Sequence, residues 1–91
     1  MTEEEKTVMA ATRSDIARWF KEGQEQGATH MVVVCDTFSY DDYPVYVTPG
    51  ENARDKAAEH DGPEMQKVME VYSLAKPMEP QLDEFRAFHY D

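Results

Sequence analysis

Apolar residues recur at helical spacing in the first third of the chain, at Ile16, Trp19, Phe20 and Gly23. Intervals of three and four residues mark one face of an α-helix. Thr12 and Ser14 offer hydroxyl N-caps, and Asp15 places an acid in the first turn, where both favour a helix start. Gly27 supplies a C-terminal stop. The pattern predicts an amphipathic helix of about four turns.

Two strands are predicted next. Residues 29–36 are rich in β-branched side chains, and their unbroken valines indicate a strand that is covered on both faces. Residues 43–48 predict a second strand, with Val45 and Val47 facing one way and Tyr46 the other. Pro44 cannot donate a ladder hydrogen bond, so this strand begins there or lies at a sheet edge. The intervening residues form a hairpin loop.

The second half of the chain predicts a helix, a strand and a terminal element. Thr48-Pro49-Gly50-Glu51 matches an N-cap threonine, a proline at the first helical position and a glutamate at the third. This helix is expected to end before Gly62. A strand over residues 65–74 follows, in which strict alternation places Val68 and Val71 on opposite faces. Residues 78–90 fit either a short packed helix or a strand.

This order of elements predicts an α+β fold. We expect a small, mainly antiparallel sheet of three or slightly more strands, with two to three helices packed on one face in the order α-β-β-α-β-(α). Residues 1–11 contain three consecutive glutamates and no strong period, so they predict a flexible acidic tail. The single domain then covers residues 12–91.

The net charge of the chain limits the kinds of partner that it can bind. Nineteen acids against nine Lys and Arg give a formal net charge of −10, which opposes binding to phosphate backbones and to anionic lipid. We therefore expect no direct nucleic-acid contact, no membrane association and a protein partner, one with a basic surface being the natural complement. The acidic N-terminus lacks an apolar leader core, and a cytoplasmic location is the resulting expectation.

Few residues suggest catalysis. The single cysteine, Cys35, excludes an intrachain disulfide and multi-cysteine metal sites. His30 is five residues away, and an odd separation puts the two side chains on opposite faces of a strand. Asp36, Asp41 and Asp42 are oxygen ligands but lack the spacing of a calcium loop. We expect no catalytic set, cofactor or metal, and keep as an alternative a small enzyme that uses Cys35 or these three acids with a histidine brought near by the fold.

Aromatic and acidic residues alternate around the hairpin loop, at Phe38, Tyr40, Asp41, Asp42, Tyr43 and Tyr46. Tyrosine offers a large, rigid contact area with a polar tip. The pattern predicts a surface that contacts a partner protein. An ordinary hairpin is the competing interpretation, in which Asp and Ser make the turn while the rings pack onto the sheet.

A second acidic feature is the face of the middle helix over residues 51–64. Glu51, Asp55 and Glu59 are spaced by four residues, which is roughly 6 Å along a helix. Like charges at this spacing destabilise a helix slightly, so the stripe does not serve helix stability. It offers a second partner-binding surface. It also raises the alternative of an inhibitor that imitates nucleic acid, against the simpler interpretation of a solvated face.

Several segments together resemble a group of small bacterial and phage-associated acidic proteins of unassigned function: Trp19-Phe20, Gly27-Ala28-Thr29-His30-Met31, Cys35-Asp36-Thr37-Phe38 and Asp42-Tyr43-Pro44-Val45-Tyr46-Val47. The resemblance implies a bacterial or phage origin and brings no catalytic residue or cofactor. The sequence therefore predicts a small acidic interaction domain without catalytic activity. Homodimerisation through the edge strand stays open.

Overall fold

The computed structural model describes residues 12–39, 41–62, 65–84 and 86–90. Within these residues it contains helices α1 (Arg13–Gln26), α2 (Ala53–Glu59) and α3 (Met78–Leu82), and strands β1 (His30–Asp36), β2 (Asp41–Val47) and β3 (Gln66–Ser73). The predicted α+β class, the order of the elements and the antiparallel sheet are confirmed. The predicted tail over residues 1–11 lies outside the described residues.

The sheet has the order β2-β1-β3, and both pairings are antiparallel. Strand β1 is therefore central. In the hairpin, Asp36 lies opposite Asp41 beside the turn, and His30 lies opposite Val47 at the other end. Strand β2 is an edge strand, which agrees with the prediction from Pro44.

Of the two predicted alternatives, the terminal segment forms the short helix, which is followed by an isolated bridge. Helix α3 comes first, and Phe88 then forms an isolated parallel bridge with Val71 of β3. The Val71 N–H donates to the carbonyl oxygen of Ala87 at 2.9 Å, and the His89 N–H donates to the carbonyl oxygen of Val71 at 2.8 Å. These bonds attach the end of the chain to the outer edge of β3.

Helices cover both faces of the sheet, which corrects the prediction that they pack on one face. One face of β1 packs with α1 in a cluster of Ile16, Phe20, Met31, Val33, Tyr72, Leu74 and Ala87. The other face packs with α2 in a cluster of Val32, Val34, Val47, Ala53, Ala57, Val68 and Val71. Because consecutive valines in β1 point to opposite sides, each face needs its own cover.

A β-bulge in the pairing of β1 with β3 corrects the predicted alternation of β3. Val33 lies opposite Glu70, whereas Val34 lies opposite Val68, so Met69 is the extra residue. The bulge turns the strand locally. As a result Val68 and Val71, three residues apart, both face α2.

The predicted caps hold for α1 but not for α2. Thr12 and Asp15 form a reciprocal capping box, and Gly27 ends α1 in the left-handed conformation at φ 82°. Helix α2 begins at Ala53, where the side chain of Asn52 accepts from the Asp55 N–H at 3.0 Å. The Thr48-Pro49-Gly50-Glu51 signature forms a turn ahead of the helix, because the Thr48 N–H donates to Glu51 Oε1 at 3.0 Å.

Gly23 brings α1 close to the sheet. A Cβ atom at this position would lie 2.7 Å from Leu74 Cδ1 and 2.7 Å from Tyr46 Cε1. The Tyr46 ring cannot easily move aside, since its hydroxyl donates to the carbonyl oxygen of Trp19 at 2.9 Å. Glycine is therefore required here by close packing, although it weakens the helix itself.

The carboxyl group of Glu70 gives the fold a pH-dependent element. The Tyr72 hydroxyl donates to Glu70 Oε1 at 2.8 Å, and burial raises the pKa of Glu70 above its ordinary value. The folded chain therefore binds this proton more tightly than the unfolded chain. The stability from this group is full below the unfolded pKa of about 4.3 and falls as the pH rises toward the folded pKa.

Glu70→Gln keeps an acceptor for Tyr72 and removes the buried charge. We expect the variant to have a higher Tm than the wild type at pH 7, with a difference that shrinks as the pH falls toward 4, measured by calorimetry. Glu25→Gln, at an exposed position of α1, is the matched control and should change little. An equal or lower Tm for Glu70→Gln at pH 7 would contradict the assignment.

Candidate functional site

The turn between β1 and β2 is held by side-chain and backbone hydrogen bonds. Asp36 Oδ1 accepts from the Phe38 N–H at 2.8 Å and from the Ser39 N–H at 3.4 Å. The Ser39 hydroxyl donates to Asp41 Oδ2 at 3.1 Å. On the other side, the Thr37 N–H donates to the carbonyl oxygen of Met65 at 2.8 Å. The turn is therefore ordered by its own sequence, as an Asx turn, and by the residue that leads into β3.

The turn and the residue that leads into β3 each present one apolar side chain to solvent. Phe38 is 76% exposed and Met65 is 54% exposed, and among the described residues only Phe88 is another large hydrophobic of this kind. The bond between Thr37 and Met65 places both side chains at the same end of the sheet. We call Asp36, Phe38, Asp41 and Met65 the hairpin-end surface.

Other residues of the predicted contact surface are held within the fold. The Tyr43 hydroxyl donates to Gln66 Oε1 at 3.2 Å, and its ring packs on the α2 side of the sheet. Tyr46 packs on the α1 side, so the two rings lie on opposite faces. Asp42 is half-buried opposite Cys35. Tyr40 lies outside the described residues, and the structure thus brings together only Phe38 and Asp41 of the predicted set.

The predicted acidic stripe contains a cation. Glu51 lies before α2, and its Oε2 is 2.8 Å from Lys56 Nζ. The hydrogen bond from Lys56, with a second from the Thr48 N–H, lowers the pKa of Glu51 to about 2. Asp55 and Glu59 are exposed on α2, and all four side chains line one shallow groove. The three acids are therefore not an uninterrupted row of negative charge.

Cys35 lies in an environment that disfavours its thiolate. Burial, followed by the neighbouring carboxylates of Asp42 and Asp36, raises the pKa of the Cys35 thiol. A nucleophilic cysteine needs the opposite shift. The histidines have other contacts: His60 Nδ1 is 2.7 Å from Gln66 Oε1, and His89 Nε2 is 2.9 Å from Glu84 Oε2.

The sequence predicts no metal site, although Asp36, Asp41 and Asp42 carry oxygen atoms that could bind a metal ion. Over residues 12–39, 41–62, 65–84 and 86–90, no group of three or more His, Cys, Asp or Glu side chains is placed to hold a metal ion. The Oδ1 atom of Asp36 instead accepts from backbone N–H groups of the turn. The carboxylates near the hairpin therefore organise the turn and carry charge.

The structure adds a groove that the sequence interpretation missed. It has a volume of about 340 Å³ and lies between α2, β3 and the terminal segment. We call it the basic groove and define it by Arg54, Lys67, Arg86, Phe88 and Tyr90. The sequence contained one indication of this groove, the spacing of Arg86, Phe88 and Tyr90 by two residues. This spacing is typical of an extended segment whose alternate side chains lie on one face.

Comparison with protein-family models, with curated proteins and with solved structures finds no match to this chain. The resemblance to small bacterial and phage-associated acidic proteins therefore stays a prediction. Among the described residues, none of the helices has the length and apolar character needed to cross a membrane.

Proposed function

We propose that this protein is a small acidic interaction domain without catalytic activity, and that it binds a partner protein through the hairpin-end surface. The observation that carries the proposal is the exposure of Phe38, which is 76%, at the tip of an ordered turn. A cytoplasmic location is part of the same proposal.

An exposed aromatic residue on an ordered turn has the properties of a binding anchor. Aromatic residues that fill a partner's pocket often dominate the energy of an interface. Because the bonds to Asp36 and Met65 already fix the turn, little conformational entropy is lost on binding. Met65 extends the apolar area with a flexible side chain that adapts to the partner.

The charge around Phe38 favours a partner with a basic surface. Asp36 and Asp41 flank it in the hairpin, and the whole chain carries a formal charge of −10. Rim charges of one sign accelerate association with an oppositely charged surface and make that rate sensitive to salt. Apolar contact and electrostatic steering thus act at the same end of the sheet.

The two alternatives from the sequence have less support. The raised pKa of the Cys35 thiol opposes an enzyme that depends on this nucleophile. The ion pair between Glu51 and Lys56 interrupts the row of charge that imitation of nucleic acid requires.

The test compares the same substitution at two exposed phenylalanines. Phe38→Ala and Phe88→Ala are each immobilised beside the wild type, and proteins captured from a bacterial lysate are identified and then measured as purified partners. We expect Phe38→Ala to weaken partner binding by about tenfold or more, since it removes an anchor worth roughly 2 kcal/mol. Phe88→Ala should retain the partner.

Two substitutions that each remove one negative charge complete the experiment. Asp41→Asn should slow association and reduce its salt dependence, whereas Asp55→Asn, at an exposed position on α2, should not. Equal binding by Phe38→Ala and the wild type would refute the proposed surface. Loss of binding only with Asp55→Asn would favour the acidic face of α2 instead.

A further inference from the structure

The basic groove concentrates positive charge in an acidic protein. Three of the chain's nine Lys and Arg residues line it, namely Arg54, Lys67 and Arg86, together with one acid, Asp61. Asp61 is itself engaged, because its Oδ1 accepts from the Val68 N–H at 3.2 Å. The lining therefore has a formal excess of two positive charges, while the whole chain has a net charge of −10.

In the part of the chain that the structure describes, no close ion pair engages the cations of the groove. The charge of Arg86 interacts with that of Glu70, and its Nε–H donates to the carbonyl oxygen of Met69 at 3.3 Å. Ion pairs among the described residues engage Arg13, Arg18 and Lys56, whereas the guanidinium groups of Arg54 and Arg86 contact aromatic rings. Cations that contact rings retain N–H donors for a ligand. The groove thus has both charge and hydrogen-bond donors to offer.

Aromatic rings lie beside the guanidinium groups of the two arginines. The guanidinium carbon of Arg54 lies 4.3 Å from the centroid of the Tyr90 ring, and that of Arg86 lies 5.8 Å from the centroid of the Phe88 ring. The two rings are stacked, with centroids 6.3 Å apart and an interplanar angle of 19°. Such contacts restrain long side chains before a ligand arrives, which reduces the entropy lost on binding.

We propose that the basic groove binds a small organic phosphate monoester. Near neutral pH a phosphate monoester carries a charge of about −1.5 to −2, which matches the local excess. Arginine donors suit its oxygens. Phe88, which is 42% exposed, offers an apolar wall for the organic part, and a volume of about 340 Å³ lies in the range of small-molecule sites.

The net charge selects a small ligand over a nucleic acid. A long polyanion would extend beyond the groove and meet the acidic remainder of the protein, whose net charge opposes backbone binding. A small phosphate ester stays within the groove, where distant charges are screened over a Debye length of about 8–10 Å. The site is separate in chemistry from the hairpin-end surface, which is acidic.

The experiment titrates the full chain with phenyl phosphate at constant ionic strength and follows amide and arginine side-chain resonances by NMR. Lys67→Gln and Lys21→Gln are matched variants, because each removes one exposed positive charge but only Lys67 lines the groove. We expect saturable shifts at the groove. Lys67→Gln should weaken binding by about fivefold or more, and Lys21→Gln should leave it unchanged.

Benzoate tests the choice of a dianion over a carboxylate, since it retains the ring and carries one charge. Tighter binding of phenyl phosphate than of benzoate supports the proposal. It is overturned if no saturable shifts occur, if the two lysine variants weaken binding equally, or if benzoate binds as tightly as phenyl phosphate.

Discussion

Replacing Phe20 by alanine is expected to lower the free energy of unfolding by about 4 kcal/mol. The Phe20 side chain is 1% exposed, and its ring meets Tyr72 edge-on at a centroid distance of 6.4 Å and an interplanar angle of 67°. Edge-on aromatic pairs add to the energy of burial. The cavity cannot close easily, because Gly23 of the same helix already lies against the sheet.

This loss is a large share of the stability that a domain of this size has, roughly 5–14 kcal/mol. Urea unfolding should show a lower midpoint with an unchanged m-value. Phe20→Leu keeps an apolar side chain in the cavity and should lose much less, and Lys21→Ala, at the exposed neighbouring position, should stay within about 0.5 kcal/mol. A loss below about 1 kcal/mol for Phe20→Ala would show that α1 does not cover the core as described.

Replacing Gln81 by leucine is expected to lower the free energy of unfolding by about 3–5 kcal/mol, although the new side chain is apolar and of similar size. Gln81 is 2% exposed. Its Oε1 accepts from the Ser73 N–H at 2.8 Å, and its Nε2 donates to the carbonyl oxygens of Ser73 and Pro77, each at 2.9 Å. Leucine would remove all three hydrogen bonds and leave the Ser73 N–H without this acceptor, whereas the Ser73 carbonyl oxygen still accepts from the Lys76 N–H at 3.3 Å. A buried backbone group that is left unpaired costs about 1–3 kcal/mol, and each other lost hydrogen bond costs about 1 kcal/mol.

Gln24→Leu is the matched control for this substitution. Within the described residues, Gln24 Nε2 donates one hydrogen bond, to the carbonyl oxygen of Leu74 at 3.0 Å, from an exposed position of α1. Its loss should cost about 1 kcal/mol or less. In thermal unfolding followed by circular dichroism, Gln81→Leu should lower the Tm by about 15 °C or more, at roughly 4–8 °C per kcal/mol. Equal Tm values for the two variants would mean that Gln81 does not join α3 to β3.

The elements of the fold were predictable because their signals are local. The box formed by Thr12 and Asp15 is a property of four consecutive residues, and the valine run of β1 shows directly that both faces are apolar. The signature Thr48-Pro49-Gly50-Glu51 misled because a turn uses the same hydrogen bond as a helix start. Propensity and capping therefore identified the elements but not every boundary.

Features that depend on tertiary contacts were not predictable. The bulge at Val33 and Val34 exists only between two strands, and it decides which side chains of β3 face α2. The helical spacing predicts Trp19 and Phe20 equally well as core residues. In the structure Phe20 is buried and Trp19 is only partly buried. The side chain of Gln81 hydrogen-bonds to the backbone of Ser73 at the end of β3, although a glutamine in a helical pattern usually indicates a solvated position.

The same limit applies to the candidate sites. Asp36 and Ser39 predict from the sequence that the hairpin turn is ordered. Tyr43 and Tyr46 do not belong to the contact surface, because each hydroxyl donates a hydrogen bond to a residue that is distant in the sequence. The basic groove joins residues from three separate segments, so no continuous stretch of the sequence carries its positive charge.

The central position of β1 has a consequence for the motions of the domain. Both edges of β1 are hydrogen-bonded, and Val32 and Val34 at 0% exposure and Val33 at 1% are covered by helices on the two faces. We therefore expect their amides to exchange with solvent slowly, because a strand pairing must open before each N–H is released. Strand β2 pairs with β1 alone among the described strands, so it can separate without disrupting the pairing of β1 with β3. The molecule therefore has a slowly exchanging centre, while the hairpin turn lies next to the strand that opens most readily.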